Sequence, residues 1–444
     1  MSYKTNFLQS DLLTSDKIGE RRLKVESSNT SGFSGDVLGK TALSSDAWGR
    51  QKVINDYSIF HALFTYDVPD RVWEELSVDA SMTYTPLVQT GTLVSSVGGA
   101  LRVASGTTAN AGSTLSSKRH PRYQPNRGHL YSTAGWMPNP ESDGNRKWGI
   151  MCGCLSDTRR SGAYFELEGN GSTWALYAVV RSYGTILERT DITSLLPAGF
   201  DISKGHLYDI QFQWRGVGDY CFFIDQQLIY TVERLGAYSA LGLWNPALSV
   251  AFECTTNTTT ELDMFFGCVD VTSEGGAKDS RQFASISTGT GLINAASTGS
   301  AVLAVRVPRT LTYNSDTVIN TRDLVASKLT SWTRDEAAVQ VYFARDTVAT
   351  TLNGLTWTSL PDSTANYLVG GAGSALDTAF QTDRASMQLV LNEWDDLEQK
   401  NIVINPDQDA APFYITGGDI MVIAVQSVAG TDENSTTLYL SEEL

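Results

Sequence analysis

The chain has 444 residues, enough for two or three folded domains, and 41% of them are apolar while 18% are charged. Its 33 basic and 49 acidic residues give a net charge of −16, and a surface this negative repels phosphate groups, which argues against nucleic acid as a partner. The 38 glycines and four histidines indicate a β protein with many turns and count against an ordinary metabolic enzyme.

Residues 1–50 show no sustained apolar period and include a wholly polar run at residues 27–32. Such a stretch buries too little apolar surface to fold alone, so we expect an extended arm for assembly, docked on neighbouring subunits of a homo-oligomer. Residues 1–20 lack the pattern of a signal peptide. No run reaches the roughly 20 apolar residues of a membrane span, and we expect no membrane partner.

Residues 57–64 are a short helical candidate, and from residue 82 to residue 272 the pattern of alternating residues predicts strands. Residues 163–168 and 174–182 form one predicted pair of strands. The turn between them contains Gly169, Asn170 and Gly171, a strong hairpin signal because glycine tolerates positive φ.

The segment from residue 206 to residue 272 has the clearest pattern, since apolar residues recur at every second position and turns recur about every eight residues. The apolar positions are Tyr208, Ile210, Phe212, Trp214, Tyr220, Phe222, Ile224, Leu228, Tyr230 and Val232. This pattern predicts an antiparallel sheet with one buried face. The segment resembles the concanavalin A-like lectin/glucanase jelly roll, in which such a unit ends in an Asp-containing hairpin. The resemblance implies an all-β jelly-roll β-sandwich over residues 51–275 but not its function, because this fold hosts binders, enzymes and structural proteins.

A polar, glycine-rich stretch at residues 273–278 predicts a domain boundary, and residues 276–444 predict a second β-sandwich. Its predicted strands are residues 301–307, 338–343, 387–391, 402–404, 419–427 and 437–440. The continuous apolar run at residues 420–425 predicts a central strand with both faces covered.

Three sets of acidic residues are candidates for glycosidase chemistry. Glu393, Asp395 and Glu398 have the E-x-D-x-x-E spacing of glucanases with the concanavalin fold, which places carboxylates on one strand face as nucleophile and acid. The motif lies outside the jelly-roll segment, so a solvated acidic loop is favoured. The pairs Glu166/Glu168 and Glu261/Asp263 are explained equally well by strand alternation. We therefore predict no catalytic residues and no enzymatic activity.

One basic cluster stands out in this acidic chain. Its members are Lys118, Arg119, His120, Arg122 and Arg127, with His129 nearby. Proline and glycine place it on a loop, where it predicts a contact with an acidic neighbouring subunit or with an anion. Subunit docking is favoured because the protein itself supplies an acidic surface.

No metal or cofactor site is predicted. Cys152 and Cys154 lack a second pair of ligands, and Cys221, Cys254 and Cys268 are expected to be small buried apolar residues. Residues 405–409 predict a turn rather than a calcium loop. Five tryptophans offer either a sugar-stacking platform or core residues, with the core favoured. They are Trp136, Trp148, Trp174, Trp214 and Trp244.

Beyond the fold, residues 46–53, 208–224, 267–276 and 332–345 are similar to virion structural proteins of tailed bacteriophages, which place a concanavalin-like domain before a second β domain. The resemblance implies a structural component of a phage particle (a head decoration, a fibre, or a tail or baseplate appendage) attached by its arm to other virion proteins. Its location would be the virion, assembled in the host cytoplasm. The alternatives are a carbohydrate-binding protein that recognises a host surface glycan and, less favoured, a glycan depolymerase with two carboxylates about 5–10 Å apart in a cleft.

Overall fold

The computed structural model describes most of the chain beyond residue 56. The described residues are 57–65, 68–69, 72–87, 93–121, 128–151, 160–212, 219–233, 248–273, 281–289, 291–293, 299–313, 316–333, 336–361, 363–395, 400–403, 414–427 and 432–443. Of the two compact units in the chain, Met1–Tyr57 with Ser273–Ala277 falls almost entirely outside these residues. The description below concerns the other unit, Ser58–Thr272 with Lys278–Leu444. The predicted arm of residues 1–50 lies outside the described residues.

Two eight-stranded sheets form the first sandwich. The strands of sheet A are β1 Tyr57–Leu63, β4 Val94–Val97, β5 Ala100–Ala104, β7 His129–Trp136, β12 His206–Phe212, β13 Tyr220–Ile224, β14 Gln227–Val232 and β16 Asp263–Ser273. Their order is β14-β13-β12-β7-β16-β5-β4, with β1 paired to β16. The strands of sheet B are β2 Trp73–Val78, β3 Tyr84–Pro86, β6 Ala111–Ser117, β8 Gly144–Met151, β9 Gly162–Gly169, β10 Trp174–Ser182, β11 Thr185–Asp191 and β15 Ser249–Thr256. Their order is β11-β10-β9-β8-β15-β6-β2-β3.

An aromatic core joins sheets A and B. Trp148 of β8 and Phe165 of β9 pack against Tyr208 of β12, with ring centroids 5.1 and 5.4 Å apart, and all three side chains are buried. Burying each such side chain contributes about 2–3 kcal/mol. Sheets A and B therefore form one β-sandwich, and the predicted all-β sandwich fold is confirmed.

The predicted hairpins are confirmed. Gly169 pairs with Trp174 across a turn in which Gly171 has φ +85°. Between β13 and β14 the turn has only two residues, Asp225 and Gln226, and both have positive φ, of 51° and 66°. Positive φ at both positions is the mirror-image turn that suits the strand twist, although glycine or asparagine usually occupies it.

The predicted helix at residues 57–64 is wrong, because this segment begins with strand β1. Phe60 and Phe64 are buried and Ala62 is partly buried, whereas His61 and Leu63 are exposed. This alternation has the period of two that a strand requires. The buried side chains of the segment therefore lie on one face of a strand.

Sheets C and D form the second sandwich. Sheet C contains β17 Arg281–Ser287, β18 Gly291–Ile293, β22 Asp323–Thr333, β27 Lys400–Val403, β28 Tyr414–Ile415 and β30 Asp432–Glu443. Sheet D contains β19 Ser300–Arg306, β23 Ala337–Arg345, β24 Thr358–Ser359, β25 Asn366–Val369, β26 Gln388–Asp395 and β29 Asp419–Ser427, in the order β24-β25-β19-β29-β23-β26. A small hairpin of β20 Thr310–Tyr313 and β21 Asp316–Ile319 is separate.

Sheet D is covered on both faces, as the run at residues 420–425 predicts. One face packs on sheet C, and the other packs on helices α1 (Thr350–Asn353) and α2 (Ala375–Asp383). Phe380 of α2 meets Tyr342 of β23 edge to face at 5.0 Å. Strand β29 lies between β19 and β23, and its residues are almost all buried.

Candidate functional site

The Glu166/Glu168 pair lies in a row of alternating charges on the face of sheet B that points away from the aromatic core. We call this row the charged ladder, and its members are Arg189, Glu168, Glu166, Lys147, Glu253 and Arg160. Cross-strand pairing aligns it, because Lys147 of β8 is opposite both Glu166 of β9 and Glu253 of β15. Side chains directly opposite each other on one sheet face interact, so the ladder follows from the register of the strands.

Short contacts connect neighbouring members of the ladder. Lys147 Nζ lies 2.9 Å from Glu253 Oε1 and 4.0 Å from Glu166 Oε1. Arg189 Nε lies 2.9 Å from Glu166 Oε2, and its Nη2 lies 2.6 Å from Glu168 Oε2. At the other end Arg160 pairs with both oxygens of Glu253. Each carboxylate in the ladder therefore has a cationic partner.

Glu253 of the ladder is held in its ionised form. Its side chain is fully buried, and its Oε2 also accepts hydrogen bonds from Tyr84 (2.9 Å) and Thr114 (3.2 Å). Burial by itself raises the pKa of this carboxyl, but the adjacent Arg160 and Lys147 outweigh burial and hold the pKa far below its ordinary value. Glu253 is thus a carboxylate at physiological pH and has no proton to donate.

The ladder becomes accessible only at its Arg189 end. Glu253, Arg160, Lys147 and Glu166 are all buried, whereas the side chain of Glu168 is 45% exposed and that of Arg189 is 30% exposed. The guanidinium of Arg189 lies 3.5 Å above the ring of Tyr177 and so covers that ring. The ladder is mainly an internal charge network, and Glu166 and Glu168 are not the free solvent face that the alternation predicts.

The Glu261/Asp263 pair lies on the outer face of sheet A beside aromatic residues. We call this surface the outer aromatic patch, and its members are Trp136, Phe265, Arg102, Glu261 and Asp263. The rings of Trp136 and Phe265 are stacked, with centroids 5.1 Å apart and an angle of 5° between their planes. Both rings are partly exposed, in contrast to Trp148, which is a core residue. Trp174 is partly buried against the core.

The polar part of the patch is organised by one arginine. Arg102 pairs with Phe265 across β5 and β16, and its Nη2 atom lies 3.0 Å from Glu261 Oε2 and 2.7 Å from Asp263 Oδ1. All three side chains are 22–38% exposed. A stacked aromatic pair beside oriented carboxylates and a guanidinium matches the two kinds of contact that a sugar ring makes, stacking and hydrogen bonding to hydroxyl groups.

The strand next to Trp136 is preceded by a glycine with open space above it. His206 pairs with Gly135, which brings Gly205 alongside Trp136 on the neighbouring strand. A Cβ atom built on Gly205 would meet no atom within 4 Å. The surface beside Trp136 is therefore open at Gly205.

The basic cluster lies where the first sandwich meets the second. Lys118 is buried with its Nζ 3.9 Å from Asp419 Oδ1, and the guanidinium of Arg119 lies 4.1 Å above the ring of Tyr414. These residues thus contact the second sandwich of the same chain. Burial lowers the pKa of His120 to about 4, although Glu74 opposes the shift. Arg122 and Arg127 lie outside the described residues. The contact with another subunit or an anion stays a prediction.

The remaining sequence candidates divide between described and undescribed residues. Glu393 is exposed near the end of strand β26, and Glu398 lies outside the described residues, as do Cys152, Cys154, Trp214, Trp244 and residues 405–409. Cys221 and Cys254 are buried as expected, whereas Cys268 is only partly buried. Within the described ranges, no group of three or more His, Cys, Asp or Glu residues is placed to hold a metal ion. None of the helices among these residues is both long and apolar enough to cross a membrane.

The chain matches no protein-family model and no curated protein. About half of it is similar in fold to solved jelly-roll enzymes. The catalytic domain of an endo-1,3-β-glucanase (laminarinase) from Thermotoga petrophila has 12% identity and a TM-score of 0.36, covering 50% of this chain and 100% of the other. An endo-β-1,3-glucanase from Pyrococcus furiosus has 16% identity and a TM-score of 0.37, covering 52% and 97%. The alginate lyase AlyC3 has 12% identity and a TM-score of 0.33, covering 48% and 91%. This similarity concerns the fold, and it assigns no role to any residue.

These matches correct one prediction. The absence of enzymatic activity, predicted from the sequence, is contradicted because the matched structures are named as glucanases and a lyase. The phage-particle role has no counterpart among them.

Proposed function

We propose that this protein is a glycan-binding component of a bacteriophage particle and that the outer aromatic patch makes the sugar contact. The observation that carries the glycan part is the parallel stack of Trp136 and Phe265 beside Arg102. Sugar rings present flat C–H faces to aromatic rings, and hydroxyl groups pair with carboxylate and guanidinium groups. The named activities of the matched structures agree with a carbohydrate ligand at a coarse level.

The ligand that fits this patch best is a neutral glycan. Arg102 already has two carboxylate partners, Glu261 and Asp263, so it is not free to neutralise an acidic sugar. The whole chain also carries a net charge of −16, which repels polyanions at low salt. A neutral polysaccharide such as laminarin should therefore bind better than alginate.

The particle part of the proposal is supported by the sequence resemblance of four stretches to phage virion proteins. The arm of residues 1–50 would attach the protein to other virion proteins, and the sandwiches would be displayed outward as a homo-oligomer. Mass spectrometry of purified particles tests this location, because the chain must be found in them at a stoichiometric level.

The glycan part is tested with the full chain. Isothermal titration with laminarin and with alginate measures binding, and mass spectrometry of the incubated glycan detects cleavage products. Replacing Trp136 by Ala is expected to weaken laminarin binding about tenfold, since it removes one stacking contact. The matched control is Trp332→Ala, because this tryptophan is 38% exposed and belongs to sheet C.

The result separates the alternatives clearly. Loss of binding in the Trp136 variant but not in the Trp332 variant supports the patch. Equal affinity of both variants, or no binding of any neutral glycan, contradicts it. Cleavage products that persist in the Trp136 variant would place a catalytic centre elsewhere on the chain.

A further inference from the structure

The two sandwiches meet at an ion-pair cluster that we call the junction. Glu74 of β2 accepts hydrogen bonds from Arg309, which precedes β20, and from Arg345 of β23, the second with Nη2 2.7 Å from Oε1. Arg345 Nη1 also lies 2.6 Å from Asp419 Oδ1, and Asp419 is the residue that Lys118 approaches. Opposite charges alternate through the junction, so its groups are neutralised by one another.

A cavity of about 30 Å³ lies within the junction. Its walls come from both sandwiches and include Glu74, His120 and Ser249 on one side, with Arg309 and Asn320 on the other. A cavity needs about 10–15 Å³ to admit one water molecule, which requires two to four polar partners. The volume is therefore sufficient for one water molecule and too small for a sugar or a nucleotide.

Three residues that line the cavity each have one side-chain polar atom without a hydrogen-bond partner among the described residues. They are the Oγ of Ser249, the Nδ2 of Asn320 and the Nδ1 of His120, and all three atoms are buried. Ser249 and Asn320 as whole residues are each 1% exposed. Buried polar groups in native proteins are almost always paired, and an unpaired one is destabilising. Three such atoms on residues that line one small cavity point to a shared partner.

We propose that this cavity binds one ordered water molecule, which links His120 and Ser249 of the first sandwich to Asn320 of the second. Asn320 Nδ2 donates to the water oxygen. The water donates to Ser249 Oγ or to His120 Nδ1, and the serine hydroxyl rotates to complete the set. A neutral ligand suits the site, because the surrounding charges already balance. The water is a structural link between the sandwiches and is independent of glycan binding.

The test has a direct part and an energetic part. A crystal structure of the full chain, at a resolution that reveals ordered solvent, should show one density peak within hydrogen-bond distance of all three atoms. Ser249→Ala removes only a hydroxyl group, and if that group binds water the midpoint of thermal unfolding falls by about 1–3 °C. The matched control is Ser113→Ala. The buried Oγ of Ser113 donates a hydrogen bond to the Ala104 carbonyl oxygen at 2.6 Å, so removing this hydroxyl group should also lower the midpoint of thermal unfolding.

Opposite results would overturn the proposal. If the cavity is dry, the hydroxyl of Ser249 is an unpaired buried group, and its removal leaves the midpoint unchanged or raises it while Ser113→Ala still lowers it. A cavity without density, or density that contacts only one of the three atoms, excludes the bridge.

Discussion

Acidic pH should lower the free energy of unfolding, because His120 takes up a proton more readily in the unfolded chain than in the folded one. The size of this effect follows from the surroundings of His120 at the junction. The pKa of this histidine is about 4 instead of its ordinary 6.5, because burial disfavours the imidazolium more than the nearby Glu74 favours it. The neighbouring cations Lys118 and Arg309 border the same cavity. Between these two pKa values the unfolded chain binds a proton that the folded chain does not.

The sign and magnitude can be worked out from linkage. Because the unfolded state binds more protons, the stabilisation is complete above pH 6.5 and is lost as the pH falls towards 4. Each unit of pKa difference corresponds to about 1.4 kcal/mol, so about 2 kcal/mol is lost between pH 8 and pH 5 and about 3 kcal/mol below pH 4. Above pH 5 the carboxyl groups with ordinary pKa values near 4 contribute little.

Urea unfolding at pH 8, 7, 6 and 5 measures this loss. His120→Gln keeps a polar side chain but cannot take up the proton, so the variant should lose about 2 kcal/mol less than the natural chain over that range. His61→Gln is the control, since the side chain of His61 is 56% exposed. If His120→Gln shows the same pH dependence as the natural chain, the reasoning from burial is refuted.

Two further substitutions, each with a matched control, test the first sandwich. Glu253→Gln leaves two buried cations without their counter-charge and should lower the free energy of unfolding by about 3–5 kcal/mol, whereas Glu168→Gln at the exposed end should change it by no more than about 1 kcal/mol; similar losses in denaturant titrations would mean that the ladder is not a buried network. Gly112→Ala would place a Cβ atom 2.1 Å from the carbonyl oxygen of Cys254 and should destabilise by about 1–3 kcal/mol or more. Gly267→Ala meets no atom within 4 Å and should change stability by about 0.5 kcal/mol at most, so equal thermal midpoints would contradict the predicted clash.

Local patterns in the sequence predicted much of the sheet structure. The alternation of Tyr208, Ile210 and Phe212 placed the inner face of β12 correctly, because period two is a property of the strand itself. The same pattern wrongly predicted an exposed opposite face, since Asp209 and Gln211 are also nearly buried. What covers the second face of a strand depends on distant residues, which a local pattern does not contain.

Helix α2 was missed although it carries a recognisable signal. Ser374 caps the helix by accepting a hydrogen bond from the amide of Asp377, and Leu376, Ala379 and Phe380 are its buried residues. A serine followed three residues later by an acidic residue, with apolar residues at helical spacing, is a known start signal. The surrounding β texture of residues 276–444 obscured this pattern.

The outer aromatic patch could not be predicted from a local sequence pattern, for a different reason. Its residues come from three strands, with Arg102 on β5, Trp136 on β7 and Phe265 on β16. They become neighbours only because β16, the last of the three strands in the sequence, lies between β7 and β5 in the sheet. In the sequence Trp136 was one of five tryptophans with equal standing, and Arg102 was an ordinary polar residue. Trp148, by contrast, is buried in the core. The order of strands in the sheet brings together residues that are more than 100 positions apart in the sequence. A pattern within a single strand contains no information about that order.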